Sequence, residues 1–178
     1  MNGIKLEEYH TPIVWYTQPE IDEDGEPLFT FQDFCHNLTN VRSHVGRKGY
    51  KSAGIKRDAW VKVAVDEKNN KTGLNLAFVD DGTDPQSSAV AQLFFSHEVE
   101  EEMKKNDDNN EAEFCSLIRN WYLAVDKRGL PSSERAKKLL LFREWLLNQL
   151  NPKLLGFPPV SSHVNDIPII TFEGLLTS

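Results

Sequence analysis

The chain has 178 residues, of which 39% are hydrophobic and 26% charged, close to the averages of globular proteins. These fractions exclude a collagen, a coiled coil and a chain that is disordered throughout. Lysine and arginine number 20 and aspartate and glutamate 27, so the formal net charge is −7, which argues against a protein that coats nucleic acid by its overall charge.

Cysteine usage and targeting signals bear on the compartment. Cys35 and Cys115 lie far apart and form no Cys-x-x-Cys pair, which favours free thiols in a reducing environment. The first residues have neither the basic nor the apolar segment of a signal peptide. No apolar run approaches the roughly 20 residues that a bilayer span needs. The sequence therefore predicts a cytoplasmic or nuclear protein with no membrane association.

The chain divides into three regions. Residues 1–28 are acidic and hold one apolar tetrad, residues 13–16, that is typical of a short strand. Residues 29–150 carry the regular apolar patterns of a mainly helical domain. Residues 151–178 contain four prolines and predict an extended tail. Because the tail ends on an apolar cluster, a truncated chain is one of the expectations.

The first helix is predicted over residues 31–45. Thr30 and Asp33 have the spacing of a capping box, in which a hydroxyl and a carboxylate satisfy the free amides of the first turn. Apolar residues then recur at helical spacing as far as Gly46, where we expect the helix to stop. Residues 47–54 lack an apolar period and predict a loop.

The middle of the chain predicts a β-hairpin followed by a second helix. Apolar side chains alternate with other residues over 61–65 and again over 74–78, and the polar stretch between them ends in glycine. Asp84 followed by Pro85 has the character of an N-cap and a first helical turn. We therefore expect a helix over residues 85–105.

The strongest helical pattern follows a polar break at residues 106–110. Its apolar positions match the helical template without a miss. A Gly-Leu-Pro turn at 129–131 leads to a further amphipathic helix, for which Ser132 is the expected cap. These two helices should form an antiparallel helical hairpin that holds much of the core. The predicted apolar residues are Phe114, Leu117, Ile118, Trp121, Tyr122 and Val125 in the first helix, and Leu139, Leu140, Phe142, Trp145, Leu146 and Leu150 in the second.

A basic stretch covers residues 42–62. It holds seven cations against Asp58 alone, a local charge of 7 − 1 = +6 in an acidic protein. Tyr50 and Trp60 are interleaved with the cations, and nearby glycines allow close approach of the backbone, as a phosphate-binding loop requires. The alternative is a solvated loop that balances the acidic region. The candidate nucleic-acid-binding residues are Arg42, Arg47, Lys48, Lys51, Lys56 and Arg57.

A second basic stretch covers residues 119–143, with a local charge of 7 − 2 = +5. On amphipathic helices such residues normally form the solvated face opposite the apolar stripe. We interpret them in that way, and a common surface formed by both basic stretches would favour an anionic partner.

Candidate metal and catalytic residues are incomplete in each case. Cys35, His36 and His44 lack the second cysteine of a tetrahedral zinc set, and His97 is followed by glutamate where a zincin motif has its second histidine. Asp80, Asp81 and Asp84 cluster at a predicted turn, where helix capping explains them as well as a cation does. No nucleophile or phosphate-loop motif is present, so the sequence predicts no catalytic residue, no metal and no cofactor. The remaining histidines are His10 and His163.

One segment resembles a known group of proteins. Residues 113–122, EFCSLIRNWY, followed by Ala124, Asp126, Gly129 and Pro131, resemble uncharacterised predicted proteins of animal genomes that derive from mobile elements, P-element-type transposases among them. Residues 156–159 and 172–176 are similar to the same group. The resemblance implies a non-catalytic part of a mobile-element-derived protein with nucleic acid nearby, and it carries over no catalytic acid.

The sequence as a whole predicts an α+β fold: a mainly helical single domain, at residues 29–150, with one β-hairpin and an antiparallel helical hairpin. The first functional hypothesis is a non-catalytic binding or scaffolding segment that contacts DNA or RNA through residues 42–62. The second is a protein interaction module whose acidic region or helical hairpin docks a protein partner. The third is a hydrolase or transferase built on the aspartate cluster.

Overall fold

A computed structural model of the chain describes residues 20–21, 23–25, 27–28, 33–66, 71–80, 84–148, 163–164 and 167–168. Its helices are α1 (Phe34–Lys48), α2 (Asp58–Val65), α3 (Leu76–Val79), α4 (Ser88–Phe94), α5 (His97–Lys105), α6 (Asn109–Asp126) and α7 (Ser132–Asn148), with a 3₁₀ turn at Lys51–Ala53. Two-residue strands form two antiparallel pairs, β1 (Glu20–Ile21) with β2 (Pro27–Leu28) and β3 (His163–Val164) with β4 (Ile167–Pro168). These pairs are too short to build a sheet layer. The described part of the chain is helical, and the predicted α+β class is wrong.

Helix α1 begins three residues later than predicted, because Asp33 rather than Thr30 is its N-cap. The Asp33 carboxylate accepts hydrogen bonds from two backbone N–H groups of the first turn, at 2.8 and 3.4 Å. At its other end the helix continues past Gly46 and is closed by Gly49, whose φ of 69° lies in the region that favours glycine. Gly46 therefore does not end the helix. It lies inside α1, where its backbone makes a close contact with α3.

The predicted β-hairpin is wrong, because residues 61–65 lie within α2 and residues 74–78 overlap α3. In α2, Trp60 and Val63 are buried at helical spacing, whereas Val65 is 51% exposed. Because the alternating pattern covers only residues 61–65, it fits a strand or a helix. The buried Trp60 lies just before this segment, so the alternating pattern does not include it. In α3, the side chain of Asn75 caps a single turn by accepting the Phe78 N–H at 3.0 Å.

The helix predicted over residues 85–105 is two helices, α4 and α5. Each begins after a serine whose hydroxyl accepts a backbone N–H at 3.3 Å, Ser87 for α4 and Ser96 for α5. Asp84, the predicted cap, lies three residues before Ser87 and has a φ of 38°. Ser96 thus caps a new helix, although the apolar pattern of residues 85–105 continues through it.

Helices α6 and α7 form the antiparallel hairpin that the sequence predicts. The ring centroid of Trp121 lies 5.6 Å from that of Phe142, and the ring centroid of Phe114 lies 5.2 Å from that of Trp145. Earlier residues of α6 therefore face later residues of α7. Leu140, which the sequence assigned to the core, is 62% exposed, so the apolar side chains of α7 lie on more than one face.

A series of aromatic rings connects the helices through the core. Trp60 of α2 stacks on Phe94 of α4 with ring centroids 5.1 Å apart, and its indole N–H donates to the Phe94 carbonyl at 3.0 Å. Phe95 packs edge-on against Phe94, with ring centroids 5.0 Å apart, and against Phe114 of α6, with ring centroids 6.2 Å apart. Together with the α6–α7 contacts, these rings join helices that are distant in sequence.

Both ends of the chain lie largely outside the described residues. The predicted strand at 13–16 falls there, as does the proline-rich region 151–178 apart from β3 and β4. The division into regions 1–28, 29–150 and 151–178 stays a prediction. Among the helices that the structure describes, none is both long enough and apolar enough to cross a bilayer.

Candidate functional site

The basic stretch covers the end of α1 and the closed loop that follows it. Residues 47–57 are called here the basic loop, and the first two of them are the last residues of α1. Tyr50 and Ile55 exchange two backbone hydrogen bonds, of 2.9 and 3.0 Å, and the turn Lys51–Ala53 closes the segment between them. A Cβ on Gly49 would lie under 3.0 Å from the Ile55 carbonyl oxygen, so position 49 requires glycine. These constraints hold the loop backbone in one conformation.

The basic loop is anchored on the start of α6. The buried carboxylate of Glu111 accepts the backbone N–H of Lys56 at 2.9 Å, and the Asn110 side chain donates to the Gly54 carbonyl at 2.8 Å. Tyr50 is 1% exposed, and its ring packs edge-on against that of Phe114 in α6, with ring centroids 5.9 Å apart. The loop therefore has a buried base, formed by Tyr50 and Ile55.

Four cations of the basic loop are exposed: Arg47, Lys48, Lys51 and Lys56, called here the basic patch. Within the described part of the chain, no carboxylate lies within ion-pairing distance of any of them. Arg47 and Lys48 also lie in the last turn of α1, where positive charge interacts favourably with the helix dipole. Arg47 also donates from Nε to the Ser43 carbonyl, at 3.2 Å, but its side chain remains exposed. The patch presents uncompensated positive charge on a fixed backbone.

The other two predicted contact residues are buried or paired with a carboxylate. Arg42 is 1% exposed, and its Nη1 donates to the Asp84 carbonyl at 3.3 Å. Arg57 donates from Nε to the Gly46 carbonyl at 2.7 Å and forms an ion pair with Asp80 through Nη2. The burial of Arg42 and the compensated charge of Arg57 leave the four residues of the basic patch as the surface cations of the predicted set.

The two aromatic residues of the basic stretch are not available for stacking on bases. Tyr50 is 1% exposed and Trp60 is 0% exposed. Tyr50 instead stacks on His44, with ring centroids 4.4 Å apart, and Trp60 belongs to the aromatic core. Tyr50 and Trp60 both pack inside the fold, so the aromatic residues of this stretch reflect packing.

The second basic stretch, residues 119–143, is used partly within the fold. Arg119 forms an ion pair with Glu100, and Arg135 donates to two backbone carbonyls at the end of α6. Lys138 donates to an α6 asparagine. The exposed cations of this stretch include Lys127, Arg128 and Lys137.

The cysteine and the two histidines of α1 have separate environments. Cys35 is half-buried, with Sγ 3.8 Å from the Tyr122 hydroxyl, and His36 is exposed. His44 is buried against the ring of Tyr50. Among the described residues these three do not form a metal-ligand group. The side chains of the two terminal histidines, at positions 10 and 163, lie outside the described part.

A different group of potential ligands lies on α5. His97, Glu100 and Glu101 place ligand atoms within 4.8 Å of one another. A zincin motif has no ligand at position 100, so that motif does not indicate Glu100, although the i, i+3, i+4 spacing puts all three residues on one face of the helix. Burial opposes ionisation of Glu100, but hydrogen bonds from Lys104 and Arg119 outweigh it and keep its pKa below the usual value. A metal would have to displace both cations, so the geometry does not favour one.

The aspartate cluster is divided between structural roles. Asp80 is the C-cap residue of α3, and its carboxylate pairs with Arg57. Asp84 is exposed and precedes the true helix cap, Ser87. Asp81 lies outside the described residues. The two described carboxylates therefore provide no assembled site for a cation or for acid–base chemistry.

Comparisons of the chain with protein-family models, with curated proteins and with solved structures find no match. They neither support nor contradict the resemblance of residues 113–131 to mobile-element-derived proteins.

Proposed function

We propose that this chain is a non-catalytic binding module that contacts DNA or RNA through the basic patch. The observation that best supports this function is the presence of four exposed cations within ten residues, on a loop of fixed conformation and without a described carboxylate partner. A preorganised loop loses little conformational freedom on binding. The resemblance of residues 113–131 to mobile-element-derived proteins implies the same class of partner.

The chemistry of the patch favours contacts with phosphate over contacts with bases. Three of its four members are lysines, which bind phosphate as point charges. Tyr50 and Trp60 are buried and supply no stacking surface. We therefore expect binding that depends little on nucleotide sequence.

Binding should be weak and should depend steeply on salt. The net charge of −7 opposes long-range attraction to a polyanion. At physiological ionic strength, however, charges beyond about 8 Å are screened, so a local cluster acts by itself. Four phosphate contacts on duplex DNA give a slope of log K against log salt of about −3.6.

The experiment is a fluorescence-anisotropy titration of labelled duplex DNA and RNA at several salt concentrations. The test variant is Lys48→Glu with Lys51→Glu, which reverses the charge of half of the basic patch. The matched control is Lys127→Glu with Lys137→Glu, which changes the net charge by the same amount at exposed positions outside the basic loop. Circular dichroism checks that both variants keep the helical fold.

Two outcomes separate specific contact from bulk charge. The proposal expects the test variant to lose affinity and to reduce the salt slope by about 1.8, while the control stays close to the wild type. Absence of binding by the wild type at low salt would overturn it. Equal losses in the test variant and in the control would also do so, because net charge alone would then account for the binding.

A second candidate function is a protein interaction module, and one observation favours it. Leu140 and Leu141 of α7 are 62% and 50% exposed, an apolar pair on the surface of a long helix. Self-association detected by sedimentation at rising concentration, and abolished by Leu140→Ser with Leu141→Ser, would support this function. A monomer at every concentration would argue against self-association through this face.

A further inference from the structure

The surface of the described residues has no exposed phenylalanine, tyrosine or tryptophan. Phe34, Phe78 and Trp145 are half-buried and pack against the core, and the other described rings of these types are buried. Proteins that bind single-stranded nucleic acid gain much of their affinity from bases that stack on exposed rings. The described surface therefore offers a single strand no such ring.

The basic patch also has no share in the cavity of this fold. That cavity, of about 210 Å³, is lined by Leu38, Phe95 and Arg119 among others, and no residue of the basic loop lines it. A base that leaves its stack is held by a pocket or by an aromatic ring. The cavity supplies no such pocket beside the patch.

The four cations of the basic patch form a compact cluster. The Gly49 backbone lies against that of residues 55–57, since a Cβ on Gly49 would lie 3.1 Å from the backbone nitrogen of Arg57. Lys48 and Lys56, eight positions apart, therefore start from neighbouring points of the backbone. An extended chain would spread the ten residues from 47 to 56 over roughly 30 Å. The closed loop gathers their charges into a much shorter distance.

The carboxylates close to the basic loop have other interactions. Glu111 accepts a backbone N–H of the loop at 2.9 Å, and Asp108 accepts from Lys62 Nζ at 2.6 and 2.9 Å. Asp58 lies in the first turn of α2, where the helix dipole stabilises negative charge. These three carboxylates lower the local positive potential but form no ion pair with the patch. Binding to the patch therefore depends on close contact with dense negative charge.

A double helix supplies negative charge at a higher density than a single strand. It carries one charge per about 1.7 Å of its axis, against about 3.4 Å for one of its strands. A compact cluster of cations therefore meets more phosphates on a double helix. A single strand would also lose conformational freedom on a fixed loop, without the stacking that normally offsets this loss.

We propose that the basic patch binds the phosphate backbone of a double helix, of DNA or of RNA, in preference to a single strand. This inference rests on the proposed function and specifies the form of its partner. Four phosphate contacts give a slope of log K against log salt of about −3.6 on a duplex and about −2.8 on a single strand. With equal affinities at 1 M salt as the reference, the duplex then binds about sixfold more tightly at 0.1 M.

The experiment is a fluorescence-anisotropy titration of the full chain against four labelled probes of equal length, at several salt concentrations. The probes are a DNA duplex and an RNA duplex of mixed sequence, with oligothymidylate and oligouridylate as the single strands. The proposal expects each duplex that binds to exceed the single strand of the same sugar by about sixfold or more at 0.1 M salt, with the steeper salt slope. The DNA and RNA probes distinguish the two sources of a double helix.

The failure of this inference is distinguishable from the failure of the proposed function. Single strands that bind as tightly as the duplexes, or more tightly, would overturn the preference and leave the proposed function in place. Absence of binding to all four probes would overturn the proposed function itself. In Lys48→Glu with Lys51→Glu, two contacts remain, so the preference for the duplex should fall from about sixfold to about 2.5-fold.

A further variant tests whether the lack of a ring limits the binding of single strands. Ser52→Trp places a ring at an exposed position of the basic loop and should raise the affinity for the single strands about fivefold or more. Leu140→Trp places the same ring at an exposed position of α7 and should bind the single strands like the wild type. Circular dichroism checks that both variants keep the helical fold. An unchanged affinity of Ser52→Trp for the single strands would overturn the argument from stacking, and with it the inference.

Discussion

Gly46 of α1 lies against the carbonyl oxygen of Val79 in α3 with no space for a side chain between them. A Cβ on Gly46 would lie under 3.0 Å from that oxygen. Both residues are buried, and Arg57 donates from Nε to the Gly46 carbonyl at 2.7 Å. The two helices thus meet backbone to backbone, a contact that only glycine permits at position 46.

Gly46→Ala should lower the free energy of unfolding by about 1–3 kcal/mol, because the added methyl group meets backbone atoms that cannot move independently. This loss should occur although alanine favours a helix interior over glycine by about 1 kcal/mol. Urea unfolding followed by circular dichroism measures the difference. The control is His36→Ala, at an exposed position of the same helix, which should stay within about 0.5 kcal/mol of the wild type. A stabilised Gly46→Ala protein would show that α1 and α3 do not make this contact.

The same contact shows why part of the fold could not be predicted from the sequence. The α6–α7 hairpin was predictable, since a long apolar stripe at helical spacing fits no other element. Residues 61–65 are different, because five alternating residues fit a strand or a helix equally well. Their helical state depends on the packing of Trp60 against Phe94, a residue 34 positions later. From the sequence, Gly46 predicts the end of a helix, because no nearby residue indicates that it contacts Val79.

Trp121→Ala should cost about 3–5 kcal/mol of stability, because Trp121 is 0% exposed and packs against Phe142 across the helical hairpin. The measurement is chemical denaturation of the wild type and the variant under identical conditions. Leu140→Ala in the facing helix is the control, and it should change the stability by about 0.5 kcal/mol or less. A loss below about 1 kcal/mol for Trp121→Ala would contradict the packing of α6 against α7.

Glu100 should make stability depend on pH in the acid range. Burial opposes its ionisation, but hydrogen bonds from Lys104 and Arg119 outweigh this effect and lower its pKa below the value of about 4.3 in an unfolded chain. The folded state then binds fewer protons than the unfolded state, so the contribution is fully present above that value and is lost as the pH falls through the folded pKa.

The test compares wild type with Glu100→Gln by urea unfolding between neutral pH and about pH 3. At neutral pH the variant should be less stable by about 1–2 kcal/mol, and the difference should shrink as the solution is acidified. Glu101→Gln, which alters a more exposed partner of Lys104, should show a much smaller difference at neutral pH. If the difference in the free energy of unfolding between the wild type and Glu100→Gln did not change with pH, the charge of Glu100 would contribute nothing to stability.

The candidate site shows a similar division between what charge patterns reveal and what only packing decides. The charge pattern alone singles out residues 42–62, and four of the six predicted contact residues are exposed cations at the end of α1 and in the loop after it. The burial of Arg42 was not predictable, because it depends on the chain near Asp84, 42 positions later. The cavity lined by Leu38, Phe95 and Arg119, among others, was also not predictable, since its residues are distant in sequence and have no common motif.

The two cysteines should differ sharply in reactivity. Cys115 is 0% exposed, and burial raises the pKa of its thiol to about 12, so almost none of it is thiolate at pH 8. Cys35 is half-buried at the start of α1 and is the accessible thiol of the pair. We expect a disulfide reagent to modify one thiol quickly in the native protein and both in denaturant. Cys35→Ser should remove the fast reaction, whereas Cys115→Ser should leave it unchanged. Equal rates for both thiols in the native wild type would show that α6 does not exclude solvent from Cys115.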